Sequence, residues 1–407
     1  MVCAAILGAV FSVVDFGAVG DGAAKDTASI QRAIDAAESA GGGTVSLGAG
    51  TYLSGSLYLK DNVEIWLGPG AVLKASPDRE DYNSWDVCPQ NSTNAFESSF
   101  GAHLLLAIEK RKVGVRGPGR IDGNADVFTL DGKGEAYGQQ RVPWRPSQLL
   151  YFVECEDVRV VDLELVRAPY WTLFLHGCEH VAVRGLSIDV RRRPHTHNGD
   201  GIDIDCCRYV TVSDCRINSS DDAITLRGDW KRLRRRRPCE FVAVSNCILS
   251  SPCCAIRVGV GDGIVRNCVF SNCIIENTRT GIELVSSWRP GSHGVDMTGL
   301  MFSNFRVDAG VFCRIRHQYA TEAVVRDIEF SGISGSSELA SEIRSNRKGK
   351  FSGIRFRDVR VGKGVAIEGA EDVSFEGGDF RAVDMTADDR AQWEADFMRI
   401  SNKFWFR

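Results

Sequence analysis

The feature that most constrains this chain is a column of four short segments that align without gaps: Asp200-Gly201-Ile202-Asp203-Ile204, Asp222-Ala223-Ile224-Thr225-Leu226, Cys254-Ala255-Ile256-Arg257-Val258 and Thr280-Gly281-Ile282-Glu283-Leu284. Their isoleucines stand 22, 32 and 26 residues apart. Apolar and polar residues alternate with period two, the pattern of a half-buried strand. A second series has the same character: Asp157-Val158-Arg159-Val160, His180-Val181-Ala182-Val183, Tyr209-Val210-Thr211-Val212 and Phe241-Val242-Ala243-Val244, with leading valines 23, 29 and 32 residues apart. Self-similarity at such spacings marks stacked supersecondary units. No amphipathic helix joins the strands, which excludes a doubly wound fold. The chain is predicted to be an all-β solenoid, one coil per repeat. Ile202, Ile224, Ile256 and Ile282 stack inward, while Asp203, Thr225, Arg257 and Glu283 share the outward face.

Earlier coils are expected at Tyr58-Leu59, Val63-Glu64-Ile65 and Val113-Gly114-Val115-Arg116. Before them, residues 26–39 read as a helix with Asp26 or Thr27 as N-cap, placed to plug the open end of the first coil. Residues 388–407 carry Trp393, Phe397, Phe404, Trp405 and Phe406, an aromatic load suited to covering the solenoid. The reading is one domain over 1–407.

A formal net charge of −4 with 25% charged residues implies neither a nucleic-acid binder nor a polybasic membrane protein. The one basic run, Lys231 to Arg237, reads as a surface loop between strands. The apolar stretch Ala4 to Val14 has no basic residue before it and no clear cleavage site, so a secretory leader is not expected. Fourteen cysteines, several adjacent or at strand starts, read as small buried hydrophobes, which favours a reducing, cytoplasmic setting. No set of His, Cys or carboxylates has the spacing of a zinc site, and Cys206-Cys207 are too close to be two tetrahedral ligands. Neither metal nor cofactor is expected.

Asp200 lies 21 residues before Asp221 and 22 before Asp222, so the three occupy neighbouring coils. Stacked strands are about 4.7–4.9 Å apart. Carboxylates at one end of two such strands come close enough to protonate a leaving group and hold a water. Like charges at that range raise at least one pKa, placing an acid beside ionised partners. One aspartate in a turn usually serves its own backbone; three in register point to hydrolysis.

These elements also carry a resemblance. Asn198-Gly199-Asp200-Gly201-Ile202-Asp203 and Ser219-Ser220-Asp221-Asp222-Ala223-Ile224 resemble the two catalytic motifs of the polygalacturonases, glycoside hydrolase family 28. Val14-Asp15-Phe16-Gly17-Ala18-Val19-Gly20-Asp21-Gly22 with Asp26-Thr27 is similar to the family's opening, and Gly119-Arg120-Ile121-Asp122-Gly123-Asn124 to its mid-chain turn. The resemblance implies a right-handed, single-stranded parallel β-helix and an inverting, metal-independent hydrolysis of an α-linked glycosidic bond. Asp221 would be the general acid, and Asp200 and Asp222 would activate water.

The chain departs from that pattern further on. The family's Gly-His-Gly corresponds to Cys253-Cys254-Ala255, and its Arg-Ile-Lys to Glu283-Leu284-Val285, so both cations that would grip a uronate are missing. Glu283 there is expected to repel a galacturonate, shifting the substrate toward a neutral or partly acidic sugar. Substrate contacts are expected from Asn198, Asp203, Arg257 and Glu283, from Trp171 stacking on a sugar in the Asp200 column, and from His317 and Tyr319 on a later coil near Arg314 and Arg316. His195 and His197 would shape the cleft rim. The partner is a poly- or oligosaccharide. Two other classes stay open: a polysaccharide lyase or epimerase, which the acidic column disfavours, and a glycan-binding solenoid without activity.

Overall fold

The computed structural model describes residues 8–94, 101–128, 144–191, 198–287 and 289–406, with the side chains of residues 92–94 and 406 left aside. His195 and His197 lie outside the described residues.

The predicted solenoid is present, and every inter-strand pairing is parallel. One face is a 13-stranded sheet running from Val10–Ser12 to Ala370–Glu376. It holds the valine series in the expected register, with Val158 beside Val181, Val181 beside Val210 and Val210 beside Val242. The remaining strands form two further ladders, which the long strands Ile274–Val285 and Arg306–Arg316 join. One of them holds the isoleucine column: Ile202 pairs with Ile224, Ile224 with Ile256 and Ile256 with Ile282.

The sharp corners explain the recurring Asn, Asp and Gly. Asp162, Gly185, Asp214, Asn246, Asn272, Asn304, Gly332, Asp358 and Gly377 all have φ between 50° and 65°. They hold the same place in successive coils, and only short polar side chains or glycine adopt that left-handed conformation readily. Some bond along the stack, as Asn246 Nδ2 does to Asp214 Oδ1 at 3.1 Å.

The inward column is closed and apolar, with stacked rings at Phe270, Phe302, Phe330 and Phe356. The thirteen described cysteines are all buried and unpaired. Cys215, Cys247 and Cys273 act as small core residues whose thiols donate to carbonyls two residues earlier, at 3.2–3.3 Å.

Helix α1 (Thr27–Ser39) buries Ile30, Ala33, Ile34 and Ala37 against the first coil. Asp26 sits at its N-cap position, but its carboxylate accepts from the amides of Val19 and Gly20 and leaves the helix uncapped. The basic run folds back on the coils: Lys231 pairs with Asp262, Arg234 with Glu109 at 2.8 Å and Arg237 with Glu179 at 3.2 Å. Among the described residues no helix is long and apolar enough to cross a membrane.

The aromatic C-terminal segment is helix α2 (Ala387–Phe406), and it lies along the side of the solenoid. Arg390 bonds Glu342 at 2.8 Å and the Trp393 indole donates to the Ala340 carbonyl at 2.9 Å. Ile400 and Phe404 pack on Gly310, where an added Cβ would come within 2.6 Å of Ile400. At its far end Trp405 packs on Cys253 and Cys254, and Arg191 donates to the Phe404 carbonyl. Twenty helical residues span about 30 Å, enough to cross six coils at about 4.8 Å each. The helix thus runs back from the Glu342 coil to the edge of the aspartate cluster.

Candidate active site

The aspartates lie in the turn that enters the isoleucine ladder. Extending the register by two residues sets Asp222 beside Asp200, and Asp221 beside Gly199. The backbone fixes this: the Gly201 amide donates to the Asp222 carbonyl at 2.9 Å, and the amides of Ser220 and Asp221 both reach the Gly199 carbonyl. Ser219 and Ser251 donate their hydroxyls to the Asp221 carbonyl at 2.6 and 2.5 Å. Gly199 is required by close approach, since a Cβ there would lie 2.0 Å from Ser220 Oγ. Asn198, before it, takes φ 58°.

Each aspartate has a guanidinium near it. Asp222, 5% exposed, is bonded by Arg257 Nε. Asp200, also 5% exposed, faces the charge of Arg145, a buried cation over the Tyr170 ring whose burial lowers its pKa to about 10. Asp221 is only half-buried. Burial and the charge of Asp222 raise its carboxyl to about 6, against the pull of Arg257, the Cys253 thiol and Arg279. A group so poised is protonated in part near neutrality and sits beside other carboxylates, which is the condition for general acid catalysis.

Beyond Asp222 the outward column is an ion network. Glu283, 1% exposed, takes Arg316 Nε at 2.8 Å, Arg314 Nη1 at 3.4 Å and Arg257 Nη1 at 3.5 Å. Cys254 Sγ donates to its other oxygen at 3.0 Å. Burial alone would raise Glu283, but Arg316, Arg257 and Arg314 outweigh it and hold the carboxyl well below its usual range. Arg314 also bonds Glu342 at 3.0 Å, and Arg344 and Arg390 reach the same carboxylate. Five guanidiniums therefore share Asp222, Glu283 and Glu342. Glu394 and Glu368 complete the network through Arg344 at 4.0 Å and Arg390 at 3.7 Å. The expectation that Glu283 repels an anionic sugar is corrected: its charge is compensated by the three guanidiniums around it.

Other expected contacts also change. Trp171 is 1% exposed, packed between Tyr170 and Phe174 with Arg227 over its ring at 4.5 Å, so it has no free face for a sugar. His317 is 3% exposed; Nε2 meets the Ala323 carbonyl at 3.0 Å and the ring packs on Phe351. Its ring, like the Glu283 carboxylate, is occupied by contacts within the protein. Asp203 is fully buried beneath the ladder surface. Arg257 is committed to Asp222 and Glu283. Tyr319, 37% exposed, keeps a ring available to a ligand, and Asn198 stays half-buried at the turn.

Ligand atoms of Asp222, Cys253 and Cys254 lie within 4.8 Å of one another. Arg257 Nη2 stands 3.4 and 3.3 Å from the two sulfurs, and Arg279 Nη2 stands 3.1 Å from Cys253 Sγ. Two fixed cations on the thiols oppose a metal ion there.

Arg145 and Arg279 are absent from the expectations drawn from sequence. Arg279 was within reach of the register, since Cys254 pairs with Thr280 and so Cys253 stands beside Arg279; Arg145 lies in a connecting segment with no repeat to place it.

Comparison with known proteins gives a consistent picture. The family model described as glycosyl hydrolases family 28 matches residues 90–376, and one described as rhamnogalacturonase A/epimerase, pectate lyase-like matches residues 10–99. A probable polygalacturonase of Vitis vinifera is 24% identical over 300 residues, covering 70% of this chain and 59% of that protein. An exo-poly-alpha-D-galacturonosidase of Dickeya chrysanthemi is 23% identical, covering 70% of this chain and 54% of that protein. The chain thus spans little more than half the length of these relatives. A mannuronan C5-epimerase of Azotobacter vinelandii is 45% identical, over 22% of this chain. Among solved structures, a hyperthermoactive exopolygalacturonase from Thermotoga maritima superposes with a TM-score of 0.73 at 20% identity, covering 92% of each chain. That likeness bears on the fold.

Proposed function

The chain belongs to glycosyl hydrolases family 28, and from that premise we propose that it is a glycosidase cleaving an α-linked bond in a pectin-type poly- or oligosaccharide. Asp221 donates a proton to the glycosidic oxygen as the bond to the anomeric carbon breaks. Asp200 and Asp222 orient a water on the opposite face of the sugar and take its proton as it attacks. A single displacement inverts the anomeric carbon. The observation that carries this reading is the raised pKa of Asp221 beside Asp222, which supplies an acid next to ionised groups at working pH. Arg257 holds Asp222 in place through its Nε. The thirteen unpaired described cysteines support a reducing compartment as the place of action.

A double displacement would instead retain the configuration of the anomeric carbon. The first anomer released decides. Proton NMR of an α-linked oligogalacturonide during hydrolysis should show the β anomer first; initial release of the α anomer would refute inversion. Asp221→Asn should lower turnover by about 10²–10⁴ with the thermal midpoint unchanged, the usual worth of a general acid. Turnover near the unsubstituted level would remove Asp221 from that role.

A further inference from the structure

Among the guanidiniums around the aspartates, Arg279 differs from the rest. Arg257, Arg314 and Arg316 are spent on Glu283 and its neighbours. Arg279 forms no ion pair with a carboxylate among the described residues, and its buried Nε has no hydrogen-bond acceptor. Among the described residues the polar contacts of its guanidinium are sulfurs, Cys253 Sγ at 3.1 Å and Cys254 Sγ at 4.0 Å. A guanidinium carries five donors, and a thiol is a weak acceptor, so most of its bonding capacity is unused. A partly buried cation in that condition calls for an anion.

Its place is informative. Asp221, Cys253 and Arg279 stand in one column on three successive strands. The charge of Arg279 is felt at the Asp221 carboxyl. The guanidinium lies over the Phe397 ring of α2, 5.3 Å from its centroid. A sugar whose glycosidic oxygen meets Asp221 therefore sits beside this cation. Planar guanidinium matches planar carboxylate through two parallel hydrogen bonds.

We propose that Arg279 is the carboxylate-recognition residue of the site, binding the acid group of a uronic acid unit next to the bond that Asp221 protonates. The inference rests on the glycosidase reading and deepens it. It locates the cation on the same strand as the Glu283 and Val285 positions, where the family pattern has its basic pair, four residues before the first and six before the second.

The test uses the full chain carrying Asp221→Asn, so that ligand is bound and not cut. Trigalacturonate and its fully methyl-esterified form are titrated calorimetrically, with and without Arg279→Met. Removing the cation should weaken binding of the free acid at least tenfold and leave the ester within twofold. Arg279→Lys, which keeps charge and bulk, should lose threefold to tenfold on the acid alone, and it decides the matter should the methionine variant not fold. Equal losses on acid and ester, no loss on either, or no binding of the acid before Arg279 is changed each overturn the proposal. So does a shifted pH profile of cleavage when Arg279→Met is made in the chain that keeps Asp221, with affinity unchanged in the Asp221→Asn background, which would make Arg279 a tuner of Asp221. Reducing-end release by the unsubstituted protein is measured separately, so failure of the glycosidase reading is told apart from failure of this assignment.

Discussion

Replacing Glu283 by Gln perturbs the centre of the ion network without changing its shape. The carboxylate is 1% exposed and receives three guanidiniums within 2.8–3.5 Å. Its loss leaves Arg257 with Asp222, Arg314 with Glu342, and Arg316 with no carboxylate from this network. Removing one partner from a buried pair costs about 3–5 kcal/mol, because the remaining charge is uncompensated. Unfolding entropy near the midpoint is about 2.1 cal/mol/K per residue, which over 407 residues is about 0.85 kcal/mol/K. The midpoint in differential scanning calorimetry should fall by about 4–6 °C. Glu283→Arg, which restores the family's residue at one position, should fall further, since it sets a cation among Arg257, Arg314 and Arg316 in place of their shared carboxylate. The sign with pH follows from the depressed pKa of Glu283. Its contribution is complete above the ordinary glutamate value of about 4.3 and fades as pH drops below it. The gap between native and Glu283→Gln midpoints should therefore narrow below about pH 4. A change under about 1 °C at pH 7 would refute the account of Glu283 as the keystone of this flank.

Two other outcomes follow from the site. With Asp221 raised to about 6, the acid form is lost as pH rises through that value, so kcat/KM should fall on the alkaline side of about pH 6; a profile flat from pH 5 to 8 would contradict its role as the acid. Trp171→Ala should cost about 3–5 kcal/mol of stability, as large buried aromatics do, whereas Trp171→Phe should leave KM for an oligogalacturonide unchanged; a raised KM in the phenylalanine variant would restore the stacking role that burial denies it.

The coils were legible because period-two alternation and a repeated spacing are local signals: Ile202, Ile224, Ile256 and Ile282 pair as their segments align. The turn bearing Asp200, Asp221 and Asp222 followed from the same register. What surrounds that turn did not follow. Glu283 reads as repulsive when taken alone, yet the next coil sets Arg314 beside it and Arg316 beside Val285; the register held that information, and the charges of neighbouring strands had to be counted together. Trp171 and His317 look like ligand contacts on an outward face, and burial by connecting segments turned them into packing. Helix α2 was visible as an aromatic segment, but its route along the coils is set by contacts more than fifty residues apart, such as Trp393 with Ala340 and Phe404 with Arg191.

That route orders events in time. During synthesis the coils bearing Asp200, Asp221, Asp222 and Arg279 emerge first, and they can stack as each new strand finds the one before it. The helix that seats Phe397 over Arg279 and Trp405 against Cys253 and Cys254 is made after every coil. A ribosome-bound chain thus has its carboxylates aligned while the adjoining wall is still absent. On the proposed reading, competence to hold a sugar arrives when α2 docks, which separates folding of the scaffold from completion of the site.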